Sequence, residues 1–500
     1  MKGSRLSGWL TLAVFATVGG VIAADPAFAK VDVDKFTIGG EARIRYEYRT
    51  NAGFSTTTNA NESAASHRVR VSVGYDLTPD VSFFAQLQDA RVWGSECNVA
   101  VCGVGSTGIG TVSSANNGGT GVDLHQGYLL VKNILTPGLS MKAGRQEITF
   151  GDHRLFGNFG WSQIGNSFDA VRLTHASPMA DLDLFWARIA DTEGGAVPSA
   201  ALGAVNTGNA ALGVIFPGAG AKATTDQDIY GAYLTLKPVA NWTIEPYYFL
   251  LKDSRANGGT LAGVVATPQA PDQVLNTVGG RINGKAAGLD ATVEGVYQFG
   301  GIGDIATSGA HNLAVHSYAG AAKAGYTLEV VPMKPRIGVE VDYAKGDGCV
   351  APGTCNAVGH LNTFDNLYPT NHFHYGYMDL MAWKNMVNYQ ANFAIQPDAA
   401  SKLQVNFIIH RLQTAHDNWY RAGQGVYGAT SAANTSSSIG RELDVHYWRT
   451  FKEKFKAEIG YGHFWAGQYI TSGLNTIDGV AGGHNGSGQN WGYVMGSVLF

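Results

Sequence analysis

The sequence predicts an all-β chain, a transmembrane antiparallel up-and-down β-barrel of about 18 strands. Three observations predict it. Short polar turns recur between strand-like runs from Phe36 to Phe500, and every second connection swells into a long Gly/Ser/Thr/Asn loop. Within the runs, apolar and polar side chains alternate with the period of two that gives a strand one greasy face and one wet face. After residue 29 no stretch offers the roughly 20 uninterrupted apolar residues of a spanning helix, so a membrane would be crossed by strands.

The elements follow in order. Lys2 and Arg5 precede an apolar stretch from Trp9 to Ala23, and Ala27-Phe28-Ala29 supplies a small-x-small cleavage pattern. Residues 1–29 therefore read as a secretory signal peptide and 30–500 as the barrel. Strands are expected at 36–49, 67–77, 81–93, 122–132, 139–148, 167–175, 182–190, 228–237 and 242–252, then at 275–284, 289–299, 312–328, 336–344, 384–395, 403–413, 441–450, 455–468 and 491–500. Tight turns fall at Thr78-Pro79-Asp80, Leu135-Thr136-Pro137-Gly138, Ser177-Pro178, Lys237-Pro238, Gly284-Lys285, Pro332-Met333, Gln396-Pro397-Asp398 and Lys452-Glu453-Lys454, where proline fixes φ and ends pairing. With periplasmic termini these turns face the periplasm. The other loops, of which 95–121, 194–227 and 346–377 are the largest, face outward. Phe500 suits a closing strand, where terminal aromatic residues are common.

Composition bounds the alternatives. The 500 residues include 66 Gly, 22 Tyr, 22 Phe and 10 Trp, and only 15% are charged, against roughly 25% in soluble domains. Aromatic residues suit the interface girdles of a barrel, and the mean hydropathy of −0.05 would hide it from a helix search. A soluble secreted β-solenoid would also be glycine-rich, but no fixed repeat period runs through the chain. A formal charge of −4 gives no basic bias toward nucleic acid. The four cysteines form two close pairs in loop-like sequence, Cys97 with Cys102 and Cys349 with Cys355, which predicts two local disulfides in an exported chain. Neither spacing suits a zinc knuckle.

Alternation assigns faces. Val69, Val71, Val73, Tyr75 and Leu77 share one side, and Arg68, Arg70, Ser72 and Asp76 the other. Ile337, Val339, Val341 and Tyr343 likewise oppose Arg336, Glu340 and Asp342, and Leu403, Val405, Phe407 and Ile409 oppose Lys402, Gln404, Asn406 and His410. A barrel turns the apolar row to lipid and the polar row to the lumen. The first strand then lines the lumen with Glu41, Arg43, Arg45, Glu47 and Arg49. Around Arg145 alternation assigns no face.

The densest polar run is Gly144-Arg145-Gln146-Glu147, continuing through Phe150-Gly151-Asp152-His153-Arg154-Leu155-Phe156-Gly157-Asn158 to Trp161 and Ser167-Phe168-Asp169. Here the chain resembles the alginate export family of outer-membrane porins, in which a strand-ending Gly-Arg-Gln precedes a polar loop and another strand. A second likeness is Ile439-Gly440-Arg441-Glu442-Leu443-Asp444, similar to the family's Ile-Gly-x-Glu-Leu-Asp. Glu147 stands in a stretch where the family's best-known member carries more basic residues. The resemblance implies a Gram-negative outer-membrane channel that passively exports an alginate-like polyuronate, with Arg145 in contact with the polymer. Lumen parity adds Arg68, Arg70, Arg43 and Arg45, with Glu442 and Asp444 as carboxylates that could pair with such arginines.

The chemistry is coherent, because a polyuronate carries one carboxylate per sugar and a guanidinium binds each through two parallel hydrogen bonds at any pH. Arginines punctuated by Glu and Asp would hold each carboxylate weakly enough to release it. For each of these residues the alternative is a structural salt bridge that stiffens the barrel.

Other motifs carry less. His372 and His374 form an x-spaced pair in a Gly/Tyr-rich loop and read as surface residues rather than metal ligands, and Gly103-Val104-Gly105-Ser106-Thr107-Gly108 lacks the Lys-Ser/Thr ending of a phosphate loop. No protease, esterase or haem-attachment motif occurs, and no cofactor is implied. The expected protein is a monomeric channel for an anionic polysaccharide or small hydrophilic solute. The rival readings are a nutrient porin for small acids or sugars, which a trimer would favour, an outer-membrane hydrolase, and an adhesin-like scaffold.

Overall fold

The two-residue alternation becomes the two faces of a closed sheet. The computed structural model describes residues 33–55, 61–93, 122–190, 226–253, 273–302, 313–348, 360–484 and 486–500. The signal-peptide residues and all four cysteines lie outside the described residues. In chain order the strands are β1 (Phe36–Arg49), β2 (Glu62–Thr78), β3 (Val81–Val92), β4 (Asp123–Val131), β5 (Leu139–Gln146), β6 (Phe168–Ala176), β7 (Ala180–Ala190), β8 (Gln227–Val239) and β9 (Trp242–Asp253). There follow β10 (Gln273–Ala286), β11 (Leu289–Ile302), β12 (Leu313–Thr327), β13 (Arg336–Ala344), β14 (His360–Leu361), β15 (Met386–Asp398), β16 (Ser401–Arg411), β17 (Trp419–Tyr420), β18 (Val426–Ala429), β19 (Ser438–Phe451), β20 (Phe455–Ala466), β21 (Thr476–Ile477), β22 (Val480–Ala481) and β23 (Gln489–Leu499).

Setting aside the short β14, β17, β18, β21 and β22, eighteen strands among the described residues pair edge to edge in chain order. The barrel closes where β23 returns antiparallel to β1, with Glu41 opposite Leu499 through to Arg49 opposite Trp491. Closure pairs the strand edges that an open sheet would leave to water or lipid.

The outer face is apolar along its length. Ile44, Tyr46, Val71, Ile337, Val339 and Tyr461 are exposed, while their neighbours Arg43, Arg45, Arg70, Glu340 and Asp342 are buried inside. That inversion of the usual globular pattern is what a lipid-facing barrel requires. The short connections lie at the end that carries Phe500, and the long ones at the other end.

Three turns differ from their expected places. Gln396-Pro397-Asp398 ends β15 as strand, and the chain reverses at Ala399-Ala400. β10 runs past Gly284 to Ala286, and the hairpin turns at Ala287-Gly288, whose φ angles of 48° and 84° form the two-residue turn that suits the sheet twist. Gly284 is instead a strand glycine covered by an aromatic ring, because a Cβ there would lie 2.1 Å from the Trp242 indole. Likewise β8 carries Pro238 in its last turn of strand, and the chain reverses at Ala240-Asn241.

The lumen is filled from the long-loop end. Segment 147–167, between β5 and β6, and segment 362–385, between β14 and β15, both fold inward. They join through a parallel bridge of Phe156 with Tyr368, by Gly157 N–H to Tyr368 O at 2.8 Å and by Tyr368 N–H to Leu155 O at 2.9 Å. Over them, β17, β18, β21 and β22 form a small sheet, tied down where the Trp419 indole N–H donates to Leu380 O at 2.7 Å.

Candidate functional site: a gripped plug in the lumen

A polar loop carrying Phe150, Phe156 and Trp161 cannot leave those rings in water without forfeiting roughly 1.5–3 kcal/mol for each large apolar side chain left unburied. Inside the barrel they find partners. Phe150 stacks on Tyr233 at 4.6 Å, and Phe156 sits 4.9 Å from Phe249 and 5.3 Å from Phe185. One wall of the lumen is therefore apolar, from Phe168 and Phe185 to Leu275 and Val296.

The opposite wall carries the expected arginine row, and its guanidinium groups hold segment 147–167. Arg43 donates to the carbonyls of Gly160 at 2.7 Å, Trp161 at 3.1 Å and Ser162 at 2.7 Å, and to Gln163 Oε1 at 2.8 Å. Arg45 donates to Trp161 O at 2.7 Å, pairs with Glu47 at 2.8 Å and lies 3.9 Å over the Trp161 ring. Arg68 reaches Ser162 O at 3.0 Å and Glu41 at 2.7 Å. Arg70 reaches Ile164 O at 2.9 Å, Gln88 Oε1 at 2.7 Å and Glu147 at 3.4 Å. An irregular segment buried inside a barrel leaves carbonyls with no ladder to join, and these four arginines satisfy them.

The second segment is gripped by two acidic side chains. Glu442 Oε1 accepts the Met378 N–H at 2.9 Å, its other oxygen lies 3.2 Å from His410 Nε2, and Asp444 Oδ2 accepts the Tyr377 N–H at 3.2 Å. The expected partnership of these two carboxylates with Arg43, Arg45, Arg68, Arg70 or Arg145 is thus replaced by main-chain donors. Arg49 adds a bond to Met378 O at 2.7 Å.

The wall between the two grips holds Arg154, at the tip of the first segment. It donates to Asp342 at 2.9 Å and to the Tyr375 hydroxyl at 2.7 Å, and it pairs with Glu340. Beside it, Asp152 pairs with Arg281 and Lys323. Burial raises the Asp152 pKa, but Lys323 and Arg281 outweigh burial and hold the carboxyl well below its ordinary value. The sequence places Arg154 in the dense polar run and marks no role for it. Its density of charge beside phenylalanines was the available signal.

Acidification is expected to loosen the plug in two stages. His374 Nε2 donates to Asp152 O at 2.7 Å, and burial, reinforced by Arg154 and Lys323, holds its pKa well below 6.5. A base kept neutral in the fold adds stability above its unfolded pKa and loses it as pH falls below that value. Plug opening, read as conductance steps in planar bilayers, should therefore rise as pH falls through 6.5. Glu147 responds later. Burial raises its pKa, but hydrogen bonds from His125 and Asn158 and the Arg70 charge lower it to about 2, so its contribution is lost only between 4.5 and about 2.

Open space remains at the short-turn mouth. A cavity of about 290 Å³ is lined by Arg43, Trp161, Phe373, Tyr377, Trp448 and Lys456 among others. A second, of about 410 Å³, runs from Tyr377, Trp448 and Lys456 past Lys402 and Gln404 to the Ala399-Ala400 turn. Tyr377, Trp448 and Lys456 line both.

Arg145 stands apart from this lumen, contrary to the expectation that it contacts polymer there. Gln146 takes the buried inward position, opposite Phe168, and Arg145 turns to the outer face opposite Asp169. There it forms a two-pronged pair with Asp169, both bonds 2.8 Å. Asp169 shares its side of β6 with the exposed Val171 and Leu173. Arg145→Ala is expected to leave oligouronate block of the channel unchanged in bilayer recordings; a weakened block would return Arg145 to the path.

His372 and His374 are also corrected, since they enter the lumen instead of the surface. His372 is buried, stacks on Trp161 at 4.1 Å and meets Asp379 at 2.8 Å. Among the described residues no cluster of metal-ligating side chains forms. The predicted disulfides lie outside the described residues.

A closed eighteen-strand barrel with an apolar outer face and inward-folded segments defines an outer-membrane porin. The chain belongs to the alginate export family: the family model described as "Alginate export" matches residues 34–192 and 214–476. It is thus an outer-membrane channel of a Gram-negative bacterium. No curated protein matches the sequence. Solved barrels share the fold at low identity. The outer membrane protein OprD from Pseudomonas aeruginosa has 11% identity and a TM-score of 0.53, over 96% of this chain and 98% of that one. OpdQ from Pseudomonas aeruginosa has 11% identity and a TM-score of 0.51, over 94% and 98%. OccK8 (OprE) from the same organism has 10% identity and a TM-score of 0.51, again over 94% and 98%.

Proposed function

We propose that this channel passively exports an alginate-like polyuronate, acting as a monomer. One observation carries the anionic substrate: lumen-facing lysines stand over aromatic rings without a carboxylate of their own. Lys142 lies 4.5 Å from the Tyr128 ring and Lys402 5.5 Å from the Trp448 ring, and neither forms an ion pair among the described residues. A cation left so is available to a passing carboxylate. Membership of the alginate export family supports the sugar acid as the source of that carboxylate. A single chain that closes its own barrel needs no second copy to complete the pore, which supports the monomeric reading.

The arginine row has a different part in this reading. Its donors are engaged by segment 147–167, so Arg43, Arg45, Arg68 and Arg70 shape the path by holding the plug. Transport then requires that the plug yield, and the lumen-facing lysines guide the polymer through.

Flux from proteoliposomes tests the proposal. A fluorescent oligouronate is expected to leave roughly tenfold faster than a neutral oligosaccharide of equal length, the low end of electrostatic focusing. Equal rates, or preference for small acids with exclusion of oligomers, would favour a nutrient porin instead.

A further inference from the structure

We infer that the paired cavities at the short-turn mouth form a binding subsite for acidic sugar units, with Trp448 and Phe373 as stacking faces and Lys402 and Lys456 as carboxylate partners. The inference rests on the polyuronate reading above and assigns it a place.

Phe373 supplies the first ground. The inward segment 362–385 carries it into the lumen, yet 52% of its surface stays exposed, whereas the neighbouring Tyr375, Tyr377 and Trp161 are buried. A ring brought into the barrel and left bare faces the open space, and it lines the smaller cavity together with Trp448. Trp448, half-buried on β19, lines both cavities and so stands where they meet.

The faces are held rigid from behind. Tyr377 packs on His446 at 3.7 Å, His446 stacks on Trp448 at 5.6 Å, and Phe373 meets Tyr377 edge-on at 6.1 Å. A pyranose ring has one face of C–H groups, and such a face gains from covering an aromatic ring that needs no further ordering. The hydroxyl groups around its rim need polar partners. Gln404 and Gln396 line the outer cavity beside Lys402.

The cations complete a sugar acid's requirements. Lys402 sits over Trp448 with no ion pair among the described residues, and Lys456, paired with Glu458 at 2.8 Å, keeps 46% of its side chain exposed. An ammonium 5.5 Å from the centre of the Trp448 ring reaches a carboxylate on a sugar held beside that ring. Glu458 beside Lys456 weakens that hold, as release of a moving polymer requires.

Bilayer recordings with a short oligouronate, or a neutral oligosaccharide of equal length, added to one chamber and then the other test the assignment. For the wild-type protein the oligouronate should block at lower concentration from the short-turn side. Trp448→Ala should raise the blocking concentration about tenfold and Lys402→Gln about fivefold, with Lys402→Arg restoring most of the block. Phe373→Leu, a change in a loop rather than a barrel strand, should raise it severalfold even if Trp448→Ala fails to fold. Block that is equal from both sides and unchanged in all these variants overturns the subsite while leaving polyuronate conduction standing. A wild-type channel that no oligouronate blocks overturns both. Variants that weaken the neutral and acidic sugars equally, with Lys402→Gln silent, overturn the carboxylate role.

Discussion

Arg154→Ala is expected to have the largest effect of any single substitution in the lumen, unseating the tip of the plug and lowering stability by about 3–5 kcal/mol. The side chain is buried and holds Glu340, Asp342 and the Tyr375 hydroxyl, with Glu294 at 4.0 Å. Removing the guanidinium leaves carboxylates facing one another in a space closed by Tyr375 and Trp383, and Asp342 already has one oxygen without a partner. The cost of an uncompensated buried charge exceeds the value of the pair that was lost. Arg154→Met, of similar shape, should be as damaging as alanine, because the acids remain. The combined Arg154→Met, Glu340→Gln, Asp342→Asn variant should recover most of the loss. Thermal unfolding in detergent, followed by the mobility of unboiled samples on gels, reads the difference.

The second large effect is expected at Arg43. Its four bonds to Gly160, Trp161, Ser162 and Gln163 make it the main clamp on segment 147–167. A hydrogen bond to a charged group contributes about 1.5–3 kcal/mol. Loss of even two such bonds raises the population with that segment released by about 100-fold or more, at about 1.4 kcal/mol per factor of ten. Arg43→Ala should therefore show frequent steps to a larger conductance. Arg43→Lys should fall between the two, since an ammonium retains charge but cannot fork across three carbonyls. Conductance traces identical to wild type would mean that the segment does not close the path.

How far these features were legible follows from where their causes lie in the chain. Strand identity is local. Arg336–Ala344 alternates cleanly and is bounded by its own residues, so sequence and structure coincide there. β2 begins at Glu62, five residues before the expected His67, because Glu62-Ser63-Ala64-Ala65-Ser66 has no apolar alternation to announce it. The faces of Arg43, Arg45, Arg68 and Arg70 were likewise readable from parity.

The partners of these residues were not readable. Arg43 meets carbonyls more than 100 positions away, and Met378 donates to Glu442 across 64 positions. Alternation shows that a side chain faces the lumen and says nothing about what fills it. Phe150, Phe156 and Trp161, set among charged residues in a supposed loop, were the one local sign that the segment had to be buried. At Arg145 the flanking Gly144, with φ of 125°, and the buried Gln146 carry no apolar marker for either face, so a resemblance to a family motif stood in for parity and pointed inward.

In the function proposed above, the open surfaces of the plugged channel favour anions. The reversal potential of the reconstituted protein across a planar bilayer under a potassium chloride gradient tests it most directly. The expected sign is that of a pore passing chloride ahead of potassium, more strongly in Arg43→Ala, where the plug is released. A reversal potential of the opposite sign, in wild type and variant alike, would contradict it.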